Sequence, residues 1–154
     1  MIGCSKAVHG GLGGWRTAPG TVLAGPVAWP SFVTPRLRSF YGPHNGLAVF
    51  VKGLLVVQPG HVATVRIPAG ERSRLALYYG GTFAPRAQWH DATWFRVSDG
   101  ALEITFKACP RGDWTQFAGG FLVRGAQCAV VEVRARGSAR WLRRRIAFGR
   151  RTCG

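Results

Sequence analysis

The sequence of 154 residues has few acidic side chains and very little lysine. It contains 21 Lys and Arg against 6 Asp and Glu, a formal net charge of +15 at pH 7, and its lysines are Lys6, Lys52 and Lys107. The scattered carboxylates offer no obvious pair for acid–base chemistry. The positive electrostatic field of such a protein attracts polyanions such as nucleic acid, anionic lipid or wall polymer. The alternative to a polyanion-binding surface is that GC-rich coding simply favours arginine over lysine.

Long apolar runs are also missing. The segment Met1–Trp15 has no apolar core of the length that a signal peptide needs. The longest uncharged stretch, Thr17–Pro35, contains four prolines and therefore cannot form a spanning helix. The sequence predicts no transmembrane segment, and no signal peptide is visible in it.

Known catalytic and cofactor motifs are absent as well. No serine lies in a GxSxG elbow, and the glycine-rich stretch His9–Gly14 has neither the GxGxxG spacing nor a GK[ST] ending. The cysteines form no CxxC pair, and no histidine stands at zinc-finger spacing. His90 and Asp91 are the most acid–base-like pair, but their setting favours a surface loop. We therefore expect no enzyme, no metal and no cofactor.

The four cysteines suit disulfides in an oxidising compartment, although reduced cysteines in a cytosolic protein remain the alternative. Four cysteines allow three pairings, and the sequence alone does not choose among them. Cys109 follows one predicted strand and Cys128 begins another, so both are expected at the same edge. We predict a Cys109–Cys128 bridge, with Cys153 as the rival partner of Cys128.

Alternating apolar and polar residues are the strongest structural signal. They mark His61–Ile67, Ala101–Lys107 and Ala129–Arg136 as half-buried strands, and no stretch has a helical period. Seven to nine such short strands predict an all-β fold with very little helix, an Ig-like antiparallel β-sandwich. It would form a single domain over residues 21–154, after a flexible glycine-rich arm over residues 1–20. The predicted core contains Leu75, Leu77, Leu102, Ile104, Phe106, Val131, Val133, Ile146 and Phe148.

The stretch DWTQFAGGFLVRGAQC, residues 113–128, places two glycines inside a predicted strand. Glycine within a strand commonly marks a bulge or a close approach of another chain segment. We predict that Gly119 and Gly120 lie in a bent strand covered by the Trp114 ring; a groove that faces a ligand is the alternative.

Two groups of residues are candidate binding sites. In the basic run RWLRRRIAFGRR, alternation places Trp141, Arg143 and Arg145 on the open face of a final strand. With Arg140 they would form a row that grips phosphate or carboxylate oxygens, although an ordinary solvated face has the same pattern. The second group is an aromatic loop, formed by Trp89, His90 and Trp94, which could stack on sugar rings or bases.

Several segments together carry a family resemblance. The order ITFKACP, DWTQFAGGFLVRGAQC, VEVRARG and RRRIAFGRRTC resembles a group of uncharacterised small exported or envelope-associated proteins of actinobacteria. The resemblance implies a β-sandwich, a location outside the cytoplasm and cysteines in bridges. It implies no activity.

These features favour a non-enzymatic domain, secreted or in the cell envelope, that binds an anionic wall polymer or a protein partner. One alternative is a nucleic-acid-binding protein that combines an arginine face with aromatic stacking. The other is a hydrolase with an unrecognised site.

Overall fold

The computed structural model describes residues 1–8, 13–30, 32, 46–80, 95–150 and 153. In these ranges the chain forms eleven β-strands, and its helical elements are single turns of 3-10 helix. No helix in the described ranges has the length and apolar character needed to cross a membrane. The strands are β1 (Val22–Ala24), β2 (Val27–Trp29), β3 (Val49–Lys52), β4 (Leu55–Val57), β5 (Val62–Arg66), β6 (Leu75–Tyr79), β7 (Glu103–Lys107), β8 (Thr115–Phe117), β9 (Gly119–Val123), β10 (Gln127–Ala135) and β11 (Leu142–Phe148).

The strands form three antiparallel sheets. Their orders are β11-β10-β5-β7, β1-β2-β4-β8 and β3-β9-β6. The prediction of an all-β antiparallel sandwich with little helix is confirmed. There are more strands than the seven to nine expected, because segments predicted as single strands divide where the chain passes from one sheet to another. One such passage lies between β3 and β4, and another at Ala118 between β8 and β9.

A single main core joins all three sheets. Its largest fully buried rings include Trp29, Tyr79 and Phe121. Of the predicted core residues, all are buried except Leu102, which is 39% exposed. Leu102 was wrongly placed because β7 begins only at Glu103, so the alternation of that strand does not extend to it.

The paired glycines mark a close approach, as the sequence predicts. A Cβ on Gly120 would collide with the backbone carbonyl of Val51, and a Cβ on Gly119 would collide with the Tyr79 ring. The prediction that Trp114 covers them is wrong. Tyr79 takes that place, while Trp114 packs edge-on against Trp15, with 5.0 Å between the ring centroids.

The N-terminal segment is attached to the sandwich. The backbone N–H of Ile2 donates to the carbonyl of Thr105 at 2.8 Å, and Lys107 N–H donates to the carbonyl of Ile2 at 2.9 Å. The side chain of Ile2 lies in the main core. A further backbone bond runs from Val8 to Gln116. The expectation of a flexible arm over residues 1–20 is therefore wrong for the described part of that segment.

All four cysteines form disulfides, in the pairs Cys4–Cys109 and Cys128–Cys153. The predicted Cys109–Cys128 bridge is wrong. Cys109 follows β7, and the N-terminal segment runs beside β7. The Cα atom of Cys4 therefore lies 4.8 Å from that of Cys109. Cys128 lies on β10 beside the end of β11, from which the chain continues to Cys153. Two disulfides are typical of proteins in an oxidising, extracytoplasmic environment.

Candidate anion-binding face

The last strand, β11, separates its side chains onto two sides. Ile146 and Phe148 are buried, whereas Arg143 and Arg145 are exposed. Arg144 shares the inner side with Ile146 but lies exposed on an edge strand, where its Nε donates to the carbonyl of Leu23 in β1. The alternation read from the sequence therefore places Arg143 and Arg145 on the outer side of the sheet.

The order of the four-stranded sheet brings basic residues from other strands to the same side. β10 pairs with both β11 and β5, and β5 pairs with β7. Two carboxylates, Glu103 and Glu132, lie on this side as well. We call the outer side of these strands the basic face; its cations are Arg66, Lys107, Arg134, Arg136, Arg143 and Arg145.

Glu132 lies between two of these arginines. In the strand register it stands opposite Arg66 on one side and Arg143 on the other. The Arg66 Nε lies 2.7 Å from Glu132 Oε2, and the Arg143 Nε lies 3.4 Å from Oε1. The carboxylate is almost buried, while the Arg143 side chain is 66% exposed. The almost buried Glu132 carboxylate therefore holds two guanidinium groups by their Nε atoms, while their outer edges remain in water.

Trp141 lies just before β11 and contacts two guanidinium groups, that of Arg66 and that of Arg134. The Cζ of Arg66 is 3.7 Å from the centroid of the Trp141 ring, and the Cζ of Arg134 is 4.4 Å from it. Both distances are within the range of cation–π attraction. The indole thus holds an arginine from β5 and one from β10.

Arg140 lies in the hairpin between β10 and β11. Its backbone N–H donates to the Ser138 Oγ at 3.2 Å, and its side chain is exposed. The predicted residues Arg140, Trp141, Arg143 and Arg145 therefore follow one another along the edge of the sheet. Of these, the structure links Trp141 to Arg143 through two intermediate residues: Trp141 contacts Arg66, and Arg66 and Arg143 both pair with Glu132. Arg145 lies further along β11.

Two residues central to this face, Arg66 and Arg134, were missing from the predicted site. The alternation of β5 and β10 does mark both as outward. What the sequence does not reveal is that β5 and β10 are neighbours, since the Arg66–Glu132 contact joins positions 66 residues apart.

The predicted aromatic loop, Trp89, His90 and Trp94, lies outside the described residues. Nearby, the Tyr78 and Phe95 rings pack together, with 5.5 Å between centroids. Burial raises the pKa of Tyr78, and the Asp99 carboxylate raises it further. Tyr79, the residue after Tyr78, is fully buried in the core.

Within the described ranges, no three His, Cys, Asp or Glu side chains come together as a metal site would require. Comparisons with protein-family models, curated proteins and solved structures found no match for this chain. The resemblance to actinobacterial envelope proteins stays a prediction.

Proposed function

We propose that this chain is a non-enzymatic β-sandwich domain, secreted or in the cell envelope, that binds an anionic polymer through the basic face. The observation that carries the proposal is the convergence of arginines from β5, β10 and β11, with a lysine from β7, on one solvent-exposed side of one sheet. The two disulfides support a location in an oxidising compartment.

The spacing of the cations favours a polymer over a single small anion. Neighbouring strands lie about 4.8 Å apart, and outward residues on one strand recur about every 6.8 Å. Cations on such a grid meet successive charges of an extended chain. Each exposed contact contributes little alone, but the contacts add up and release counterions from the polymer. A protein partner with an acidic surface would use the same charges.

The first experiment compares two triple variants with the parent protein. In the face variant, Arg143 and Arg145 of the basic face and the neighbouring hairpin residue Arg140 are each changed to Gln. In the control, three arginines that are exposed elsewhere are changed to Gln: Arg96, Arg111 and Arg124. Retention on immobilised heparin and binding of polyphosphate are measured at several salt concentrations. We expect the face variant to bind more weakly and to show a shallower salt dependence than the control, because fewer counterions are released.

Equal losses in the two variants would contradict the proposal, because they would make anion binding a property of the whole basic surface. An unchanged affinity in the face variant would contradict it as well. Thermal melting of both variants checks that the fold is intact. We expect little change because the substituted side chains are exposed and Glu132 keeps its closer ion pair with Arg66.

A further inference from the structure

The ring of Trp141 is already in contact with the protein's own arginines. Arg66 approaches its centroid at 3.7 Å and Arg134 at 4.4 Å, and the indole itself is half-buried. A nucleotide base could stack on this ring only by displacing a guanidinium group. The attraction lost would be of the same order as the stacking gained, so bases would give a ligand no advantage here.

The same contacts leave hydrogen-bond donors available at the edges of the guanidinium groups. A guanidinium carries five N–H donors in one plane, so a cation that lies against a ring keeps donors that point outward within that plane, at its edges. Arg66 uses its Nε for Glu132. For the Arg134 side chain, the described part of the chain shows the contact with Trp141 and no ion pair. Donors held in a fixed plane suit the paired oxygens of phosphate and sulfate groups.

We propose that the ligand of the basic face is a flexible polymer of phosphate or sulfate groups without aromatic bases, and that Trp141 is a positioning residue for Arg66 and Arg134. The proposal rests on the function proposed above and names the ligand class of the same site. The affinity then depends on the Trp141 ring although the ring itself carries no charge.

The test uses the full chain and three probes: inorganic polyphosphate, heparin, and oligothymidylate with the same number of charges as the polyphosphate. The first two probes distinguish a phosphate source from a sulfated polysaccharide. We expect at least one of them to bind more tightly than oligothymidylate at the same salt concentration. Changing Trp141 to Ala should weaken the binding of that probe about tenfold. Without the ring, Arg66 and Arg134 are no longer held in place, and the ligand must order them when it binds.

A pair of further variants distinguishes positioning from loss of charge. Trp141→Ala should leave the salt dependence unchanged, because no cation is removed, whereas Arg66→Gln with Arg134→Gln should make it shallower. Trp141→Phe should restore most of the affinity, since it returns a ring for the guanidinium groups. It also keeps the test informative if Trp141→Ala fails to fold. Trp15→Ala is the matched control: Trp15 has a guanidinium, that of Arg16, 5.5 Å from its centroid, and we expect no effect on binding.

Three results would overturn the inference and leave anion binding by the face intact. They are tighter binding of oligothymidylate than of both other probes, quenching of fluorescence by oligothymidylate that is lost in Trp141→Phe, and undiminished polyphosphate and heparin affinity in Trp141→Ala. Absence of binding to all three probes at low salt would instead refute the proposed function itself.

Discussion

The Glu71 carboxylate accepts a hydrogen bond from the backbone N–H of Val130, at 3.2 Å from Oε1. β10 pairs with β5 only from Glu132 onward, so Val130 lies beyond the end of β5. Glu71 belongs to the 3-10 turn Ala69–Glu71 that follows β5. Its side chain supplies the acceptor that a continued β5 would have offered to Val130. Its other oxygen, Oε2, binds the Arg74 guanidinium at 2.9 and 3.0 Å. A side chain thus continues the hydrogen bonding of the sheet.

Changing Glu71 to Ala should destabilise the fold. The variant leaves the partly buried Val130 N–H without its acceptor, which costs about 1–3 kcal/mol. Glu71→Gln should lose less, because its amide oxygen can still accept that bond. Glu103→Ala, the removal of an exposed carboxylate from β7, is the control and should change stability by less than about 0.5 kcal/mol. Chemical denaturation measures all three, and an equal effect of Glu71→Ala and Glu103→Ala would contradict this role of Glu71.

The sequence was informative wherever one side of a strand is buried. β5, β7, β10 and β11 alternate clearly, and so their inner and outer residues could be predicted, including the outward Arg143 and Arg145. Alternation says nothing about which strands are neighbours. The proximity of Arg66 to Trp141 follows from the sheet order, and so it could not be predicted.

Single residues outside the strands gave no periodic signal. Ile2 stands in a glycine-rich segment whose apolar residues follow no regular alternation, and a pattern needs several regularly spaced residues to be recognised. Its insertion beside β7 decides that Cys109 pairs with Cys4. The error in the disulfide prediction and the error about the flexible arm therefore have the same physical cause.

Ile2 should contribute measurably to stability. Its side chain is 4% exposed and packs so closely on Gly80 that a Cβ there would collide with it. Changing Ile2 to Ala leaves a cavity in the core and should cost about 2 kcal/mol, at the low end for such substitutions because the segment can partly relax. Val8→Ala, at a 38% exposed position of the same segment, is the control. Identical denaturation midpoints for Ile2→Ala and the parent would show that the segment is not part of the fold.

The two disulfides should differ in their contribution to stability. Chain-entropy estimates scale with the loop that a bridge closes, and the separations are 105 residues for Cys4–Cys109 and 25 for Cys128–Cys153. Removal of the first should cost about 4.7 kcal/mol and removal of the second about 3.5 kcal/mol. The double variants Cys4→Ser with Cys109→Ser, and Cys128→Ser with Cys153→Ser, are compared by denaturation. Peptide mapping of the unreduced parent protein checks the pairing, and a Cys109–Cys128 peptide would refute it.

Tyr79 should make the fold sensitive to alkaline pH. The phenol is fully buried, accepts a hydrogen bond from Trp29 Nε1 at 3.0 Å and donates to the carbonyl of Gly53 at 2.6 Å. Burial raises the pKa of Tyr79, and the Trp29 hydrogen bond lowers it only in part. Because the folded-state pKa lies above the unfolded value of about 10, the contribution of this phenol is fully present below pH 10. It decreases as the pH rises further, since the unfolded chain then releases the proton more readily.

Comparison with Tyr79→Phe isolates this effect. Near neutral pH the variant should be less stable than the parent by about 1–2 kcal/mol, because Trp29 Nε1 and the Gly53 carbonyl lose their partner. As the pH rises above about 10, the stability of the parent should decrease more steeply and the difference should narrow, since the variant has no phenol at this position to ionise. Denaturation at several pH values between about 8 and 11 measures both curves. A constant difference across this range would mean that Tyr79 ionises as readily in the folded chain as in the unfolded one, and that its ring is not enclosed in the core.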